Sequence, residues 1–141
     1  MKYQIPGKTF LTGEYSVLVG GAAVGLATKP YFEVSISSAV ENTTPFHPES
    51  SAGRFLSVNK NKYKILFEDF YQKQNIQGGF GRSGAEFLSV MLSEKKTFPE
   101  ILKSYKKATQ NEKIKPSGAD LAFQYFGKVC LVDLKKNEYK S

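Results

Sequence analysis

The sequence contains very little thiol and imidazole chemistry, with one cysteine, Cys130, and one histidine, His47, among 141 residues. A single cysteine excludes an internal disulfide framework, and one cysteine with one histidine argues against a structural zinc site. No apolar run approaches the roughly 20 residues of a membrane span. Residues 1–8 lack the apolar stretch of a signal peptide. These absences predict a soluble, cytoplasmic protein that does not associate with a membrane.

Acidic side chains are also scarce, with 13 Asp and Glu against 20 Lys and Arg and a net charge of +7. Taken by itself, such a surplus of positive charge suits anionic partners, which include nucleotides, phosphorylated metabolites, nucleic acid and a membrane surface. The chain is 40% hydrophobic and 13% aromatic, which is enough for a packed core and excludes wholesale disorder. Its length fits a single domain over residues 1–141.

Local patterns predict strands interleaved with helices. Residues 32–37 alternate apolar and polar side chains, which is the period of a half-buried strand. Strand-forming composition also marks residues 10–11, 15–19, 55–58 and 129–134. Helical spacing of apolar residues or a helix-start signal marks residues 63–74, 83–94, 97–109 and a short helix from 119. Residues 41–53 have no periodicity and predict an exposed loop. The interleaving of strands with helices predicts an α/β or α+β domain.

A glycine-rich segment, Gly79-Phe80-Gly81-Arg82-Ser83-Gly84, has the pattern G-x-G-x-x-G and opens a predicted helix. Glycines let the backbone approach a ligand closely, and the N–H groups and dipole of a helix N-terminus favour an anion. Ser83 adds a hydroxyl that can bind a metal or a phosphate oxygen, and Arg82 adds a forked donor suited to phosphate. Taken alone, a plain turn that caps the helix fits these residues about equally well.

Two familiar phosphate-binding loops do not fit this segment. A dinucleotide fingerprint needs a buried strand directly before the first glycine, and residues 72–77 are polar. A Walker A loop ends in Gly-Lys-Ser/Thr, which Ser83-Gly84-Ala85 does not supply.

Two further motifs stand before and after the glycine segment, and the ordered set resembles the GHMP kinases, the superfamily of galactokinase, homoserine kinase, mevalonate kinase and phosphomevalonate kinase. Pro6-Gly7-Lys8-Thr9-Phe10-Leu11-Thr12-Gly13-Glu14-Tyr15-Ser16-Val17 is similar to the family segment P-G-K-x-x-L-x-G-E-Y/H-x-V. The glycine segment is similar to the family loop G-L-G-S-S-A-A. Ser117-Gly118-Ala119-Asp120 is similar to the family segment S-G-x-D.

The resemblance implies an α+β fold of the GHMP-kinase N-terminal type, a two-layer sandwich with a mixed sheet and helices on one face. It implies an ATP-dependent, magnesium-requiring kinase for a small molecule. The implied substrate is an isoprenoid precursor of the mevalonate pathway, such as phosphomevalonate or mevalonate. Tyr15 and Gln110 favour phosphomevalonate kinase slightly.

Site roles follow from the same resemblance. Lys8 is expected near the transferred phosphoryl group, and Asp120 is expected to orient or deprotonate the acceptor. Ser83 is the expected magnesium ligand. The expected ATP-binding residues are Gly79, Phe80, Gly81, Arg82, Ser83 and Gly84, and the expected substrate-binding residues are Glu14, Tyr15, Ser117 and Gly118. Each has a plainer interpretation, since most lysines are exposed and a carboxylate in the first turn stabilises any helix.

The sequence departs from the family in four places. Arg82 replaces a serine and Gly84 replaces an alanine of the family loop, and the distance along the chain from Ser83 to Asp120 is short. The nearest candidate for an acidic second metal ligand is Glu112. The chain ends at Ser141 directly after a predicted strand, so we expect the family's C-terminal domain to be absent.

These departures leave two alternatives to an active kinase. One is a nucleotide-binding relic without turnover, in which Arg82 binds phosphate or obstructs the nucleotide. The other is a nucleic-acid-binding domain, motivated by a basic set of lysines: Lys103, Lys106, Lys107, Lys113 and Lys115. We also expect the chain to self-associate through the face that the missing domain would cover.

Overall fold

The computed structural model describes residues 1–38, 45–59, 63–70 and 79–141. Five strands lie within these ranges: β1 (Lys2–Thr12), β2 (Ala22–Ser38), β3 (Tyr63–Glu68), β4 (Val129–Asp133) and β5 (Glu138–Lys140). Four α-helices accompany them: α1 (Ser51–Val58), α2 (Arg82–Ser93), α3 (Phe98–Ala108) and α4 (Ala119–Phe126). A short 3₁₀ turn, Ser16–Val19, connects β1 to β2. None of the helices in these ranges is long and apolar enough to cross a membrane.

The long strand β2 organises the sheet. β1 pairs with it along one edge, from Lys2 opposite Ser35 to Thr12 opposite Val24. On the other edge, β4 pairs with the first part of β2 and β3 with the last part, and β5 extends the sheet beyond β4. The expected mixed sheet is not found among the described strands, because every pairing is antiparallel. Short connections from β1 to β2 and from β4 to β5 are too brief for the crossover that a parallel pair needs.

The core lies on one face of the sheet. Inward positions of the strands alternate with exposed ones, and α2 and α4 pack on these buried side chains, with α1 and α3 packed on the helices. The largest fully buried side chains include Phe32, Phe87 and Phe123. The opposite face of the sheet, the open face, carries Tyr31, Leu66, Val129 and Leu131, each more than a third exposed. The α+β fold with helices on one face is therefore confirmed.

Two local predictions are wrong. Residues 63–74 were predicted as a helix from apolar spacing, but 63–68 form β3, where Ile65 is buried and its neighbour Leu66 is half exposed. The pairing of β3 with β2 overrides a spacing that is compatible with both structures, and 71–74 lie outside the described residues. Residues 55–58, predicted as a strand, belong to α1, which Ser50 caps by accepting a 3.0 Å hydrogen bond from Gly53.

Two smaller differences accompany these. Residues 16–19 form the 3₁₀ turn rather than an extended segment. In the predicted loop 41–53, residues 51–53 begin α1, whereas 41–44 lie outside the described residues.

The helix-start signal at Thr97 is confirmed. The backbone N–H and hydroxyl of Thr97 both donate to the Glu100 carboxylate, at 2.8 and 2.7 Å. These hydrogen bonds lower the pKa of Glu100, because they stabilise its ionised form. Four further predictions agree with the structure to within one residue at each predicted end. They are the helices at 83–94 (α2), 97–109 (α3) and from 119 (α4), and the strand at 129–134 (β4).

Candidate functional site

The first and second sequence motifs meet where β1 passes the glycine loop. The backbone N–H of Lys8 donates to the carbonyl of Phe80 at 3.0 Å. The Lys8 side chain then covers Gly81, since a Cβ atom there would lie 2.7 Å from Lys8 Cγ and 3.2 Å from Lys8 Cε. The ammonium stands 4.6 Å from the centre of the Phe10 ring, a cation–π contact. The structure thus brings the charge of Lys8 to the loop, and this ammonium has no ion pair within the described residues.

The backbone of the loop has the geometry of an anion-binding turn. Gly79 and Gly81 have φ angles of +100° and +86°, a region that side chains disfavour. Gly81 is the N-cap of α2 and has no side chain with which to cap it. The first N–H groups of a helix have no intrahelical acceptor, and they favour a negatively charged ligand. Among the described residues, no heavy atom lies within 4 Å of the position that a Cβ atom would take at Gly79.

Arg82 directs its guanidinium group to two carboxylates of the protein. Its Nη1 lies 3.0 Å from Asp69 Oδ2, and its Nε donates to Glu86 Oε1 at 2.9 Å. Both carboxylate side chains are nearly buried, with exposures of 3% and 11%. A buried carboxylate needs a cation, so these contacts give Arg82 a structural task. Ser83 follows it in the first turn of α2 and is exposed.

The third motif begins α4 beside the first turn of α2. Gly118, with φ +81°, is the N-cap of α4, and Ser117 Oγ accepts a 3.2 Å hydrogen bond from Ala119. Asp120 is half-buried, and a Cβ atom on Gly84 would lie 3.7 Å from its Oδ2. The carboxylate of Asp120 therefore adjoins the helix that the glycine loop begins.

The charge of Asp120 also acts on a buried tyrosine. Burial, and then the negative charges of Asp120 and Glu112, raise the pKa of Tyr105 well above its usual range.

Gln124 is a site residue that the sequence reasoning missed. It is 3% exposed and lies one turn after Asp120 on α4. Its Nε2 donates to the carbonyl of Pro6 at 2.8 Å and to that of Gly81 at 3.1 Å. The sequence signal that could have identified Gln124 is its polar side chain, four positions after Asp120 on an otherwise apolar helix.

Three other predicted residues belong to parts of the chain outside the glycine loop and its helix. Glu14 and Tyr15 lie just beyond the end of β1 and are exposed, Tyr15 by 80%. Glu112 accepts a 2.9 Å hydrogen bond from Arg54 and is thereby engaged in an ion pair. Among the described residues, no group of three or more acidic, histidine or cysteine side chains stands close enough to hold a metal ion.

The donors that are present fit a magnesium nucleotide. Backbone N–H groups at the start of α2 and the Lys8 ammonium suit phosphate oxygens. Magnesium commonly keeps several waters and binds proteins through few side chains plus the phosphates of its substrate. A single serine ligand, Ser83, is therefore compatible with the binding of magnesium together with a nucleotide.

A separate groove lies between α1 and α3. Its volume is about 520 Å³, and its lining includes Arg54, Lys96, Lys103 and Lys107. A smaller one, of about 310 Å³, is lined in part by Lys106 and Lys115. Four of the five lysines of the predicted basic set thus border two surface grooves, away from the glycine loop.

The chain forms an antiparallel sheet covered on one face, with a glycine loop that opens a helix beside β1. This fold matches that of the N-terminal domains of GHMP kinases. Particular structures with this fold include the mevalonate kinase of Methanococcus jannaschii, at 15% identity and a TM-score of 0.65. The phosphomevalonate kinase of Streptococcus pneumoniae matches at 19% and 0.67, and the galactokinase of Lactococcus lactis, complexed with galactose, at 15% and 0.71.

These matches cover nearly all of this chain but only part of the other proteins. They cover 100%, 96% and 99% of this chain and 55%, 49% and 46% of those chains, in the same order. The chain thus spans about half the length of the structures it matches. No protein-family model and no curated protein matches it. At these identities the likeness establishes the fold.

Proposed function

We propose that this chain is the nucleotide-binding half of an ATP-dependent kinase that phosphorylates a small molecule. The observation that carries the proposal is the contact of the Lys8 side chain with Gly81 of the glycine loop. This contact puts a cation, which has no ion pair within the described part of the chain, beside backbone donors at a helix N-terminus, and Asp120 adjoins the same helix. Cation, donors and carboxylate are the groups that phosphoryl transfer needs.

Each group has a distinct part in the proposed reaction. Backbone N–H groups of the loop bind the phosphates of ATP. Lys8 provides a compact cation on a flexible stem, which follows negative charge as it moves to the transferred oxygens. Asp120 orients the acceptor hydroxyl or takes its proton. Magnesium, which Ser83 would help to hold, withdraws charge from the phosphate oxygens when bound.

For the acceptor we propose an isoprenoid precursor such as phosphomevalonate or mevalonate. The phosphomevalonate kinase of Streptococcus pneumoniae, solved in complex with phosphomevalonate and AMPPNP, matches 96% of this chain at 18% identity. Ser117 and Gly118 precede Asp120 and are the proposed acceptor contacts nearest to it. Glu14 and Tyr15 are proposed as outer contacts, because they stand exposed beyond the end of β1.

The test is ATP consumption with mevalonate, phosphomevalonate, galactose and homoserine offered separately. Loss of one preorganised electrostatic contact typically slows a reaction by about 10²–10³, which is the loss we expect for Lys8→Ala and for Asp120→Ala. Lys103→Ala, an exposed lysine of the groove between α1 and α3, is the matched control and should change nothing. Turnover that survives both site substitutions would contradict the assigned roles.

A relic that binds nucleotide without turnover is the second candidate, and the exposure of Glu14 and Tyr15 beyond the end of β1 favours it. Half a cleft positions an acceptor poorly and excludes water poorly, so this chain alone is expected to turn over slowly or not at all. Saturable binding of MgATP with no consumption of ATP for any acceptor would identify the relic. Robust turnover by this chain would exclude it.

A nucleic-acid-binding role is the third candidate, supported by the lysines that border the two grooves. Phosphate-backbone binding weakens steeply as salt is raised. Salt-dependent RNA or DNA binding that Lys103→Ala and Lys107→Ala weaken, together with no nucleotide binding, would favour this role over a kinase.

Self-association is proposed through the open face of the sheet, where Tyr31, Leu66, Val129 and Leu131 expose apolar surface. Contiguous exposed apolar surface commonly marks an interaction site. Light scattering over a range of concentrations should show a mass above that of the monomer, and Leu66→Lys should reduce it. A monomer at every concentration would contradict this proposal.

A further inference from the structure

We propose that Gln124 is a positioning residue that orients the backbone donors of the glycine loop. Residue 84 is glycine because the amide group of Gln124 occupies the space that a side chain at position 84 would need. The contacts of Gln124 with Pro6, Gly81 and Gly84 are structural and do not depend on the proposed function. Only the consequence for phosphate binding rests on the function proposed above.

Gln124 joins three parts of the chain through one amide group. Its Nε2 donates to Pro6 O of β1 at 2.8 Å and to Gly81 O of the loop at 3.1 Å, while its backbone belongs to α4. Gln124 is almost completely buried, so both hydrogen bonds are made by an amide that has little contact with solvent. The amide thereby fixes the distance between β1, which carries Lys8, and the start of α2.

The same hydrogen bonds set the direction of the loop's N–H groups. Two successive carbonyls of the loop are held: Phe80 O accepts from Lys8 N at 3.0 Å, and Gly81 O accepts from both Gln124 and Ala85 N. In a planar trans peptide the C=O and the next N–H point in opposite directions. The N–H groups of Gly81 and Arg82 therefore point away from these partners, and Gln124 holds the second of them outward.

Gly84 and Gln124 fit each other. A Cβ atom on residue 84 would lie 2.5 Å from Gln124 Oε1 and 3.4 Å from Leu121 Cδ2. The first distance is well below a van der Waals contact, so alanine at 84 would displace the amide. The displacement would break both hydrogen bonds of Nε2, and the carbonyl of Gly81 would then be held by its hydrogen bond from Ala85 N without the one from Gln124.

The test is a double-mutant cycle with Gly84→Ala, Gln124→Ala and the double variant. Thermal unfolding and the affinity for inorganic tripolyphosphate are measured for each. Gly84→Ala alone should lower the unfolding midpoint and weaken tripolyphosphate binding by roughly tenfold, since two buried hydrogen bonds are lost. In the Gln124→Ala background, the same Gly84→Ala change should raise the midpoint, because alanine is the better helix former and nothing obstructs it.

Two further measurements separate positioning from general stability. The ¹⁵N–¹H resonances of Gly81 and Arg82 should shift in Gln124→Met, which keeps the length of the side chain but cannot donate, and in Gly84→Ala. Gln4→Met is the matched control, because Gln4 donates to Glu33 at an exposed position of β1 and should move neither resonance.

Additive effects in the cycle, or unshifted Gly81 and Arg82 resonances in Gln124→Met, would overturn the proposal. If the wild-type chain fails to bind tripolyphosphate, the proposed function fails. The sign reversal in thermal unfolding and the two resonances still decide the role of Gln124 in that event.

Discussion

Replacing Arg82 with serine, the residue of the family loop at this position, should destabilise the protein. Arg82 is the cation for two carboxylates, Asp69 and Glu86, whose side chains are 3% and 11% exposed. Removing it takes a cation away from two nearly buried carboxylates in the same neighbourhood. The substitution tests whether Arg82 has a structural role or belongs to the phosphate site.

The expected magnitude follows from the burial of the partners. Breaking a fully buried ion pair costs about 3–5 kcal/mol, whereas an exposed pair contributes about 0–1 kcal/mol. The Arg82 side chain is itself 51% exposed, so solvent screens part of the interaction. We therefore expect a loss of about 2 kcal/mol, which for a domain of this size lowers the unfolding midpoint by roughly 5–10 °C.

The assay is denaturant and thermal unfolding of Arg82→Ser beside a matched control, Arg54→Ser. Arg54 also contacts two carboxylates, Glu112 at 2.9 Å and Glu49 at 3.8 Å, but their side chains are 34% and 79% exposed. The control should cost about 1 kcal/mol or less. Adding Glu86→Gln to Arg82→Ser should recover part of the loss, because it removes one of the two carboxylate charges that Arg82 contacts.

The contacts of Arg82 also bear on the binding of nucleotide. Since the guanidinium points to Asp69 and Glu86, serine at this position should not strengthen the binding of MgATP. An Arg82→Ser variant that is as stable as the wild type, or that binds nucleotide more tightly, would refute this account of Arg82.

Three further outcomes are expected. Ser83→Ala should weaken nucleotide binding in calorimetric titration only when magnesium is present, and equal weakening without magnesium would contradict the metal-ligand role of Ser83. Because the pKa of Tyr105 is raised, its phenol stays neutral in the folded protein while the unfolded chain ionises near pH 10. Stability should therefore fall as the pH rises above about 10, and Tyr105→Phe should flatten this fall in urea unfolding, whereas an unchanged profile would argue against the raised pKa. Gly84→Ala combined with Gln124→Ala should unfold at a higher temperature than Gln124→Ala alone, and a lower midpoint would contradict the steric fit of the pair.

The elements predicted correctly are those with a local signal. The start of α3 is specified by the Thr97–Glu100 capping interaction, which needs only four consecutive residues. Apolar spacing at 83–94 defines α2 in the same way. The segment 63–68 was misassigned because its spacing fits a helix and a strand, and the choice was made by pairing with β2, a contact distant in sequence.

The site shows the same division between local and distant information. The proximity of Lys8, the glycine loop and Asp120 was expected from the resemblance of three motifs, and the structure brings these residues together. The task of Arg82 depends on Asp69, and that of Gln124 on Pro6, which is 118 residues away in the sequence. No local pattern contains such contacts. Gly84, a departure from the alanine of the family loop, becomes explicable only once Gln124 is seen beside it.

The central claim is that the glycine loop and Lys8 form a binding site for nucleotide phosphates. Titration of the ¹⁵N-labelled chain with MgAMPPNP, followed by NMR, tests it most directly. We expect saturable shifts of the amides of Gly81, Arg82 and Ser83, with weaker affinity in Lys8→Ala. Unmoved loop amides, or shifts confined to the groove that Lys103 and Lys107 line, would contradict it.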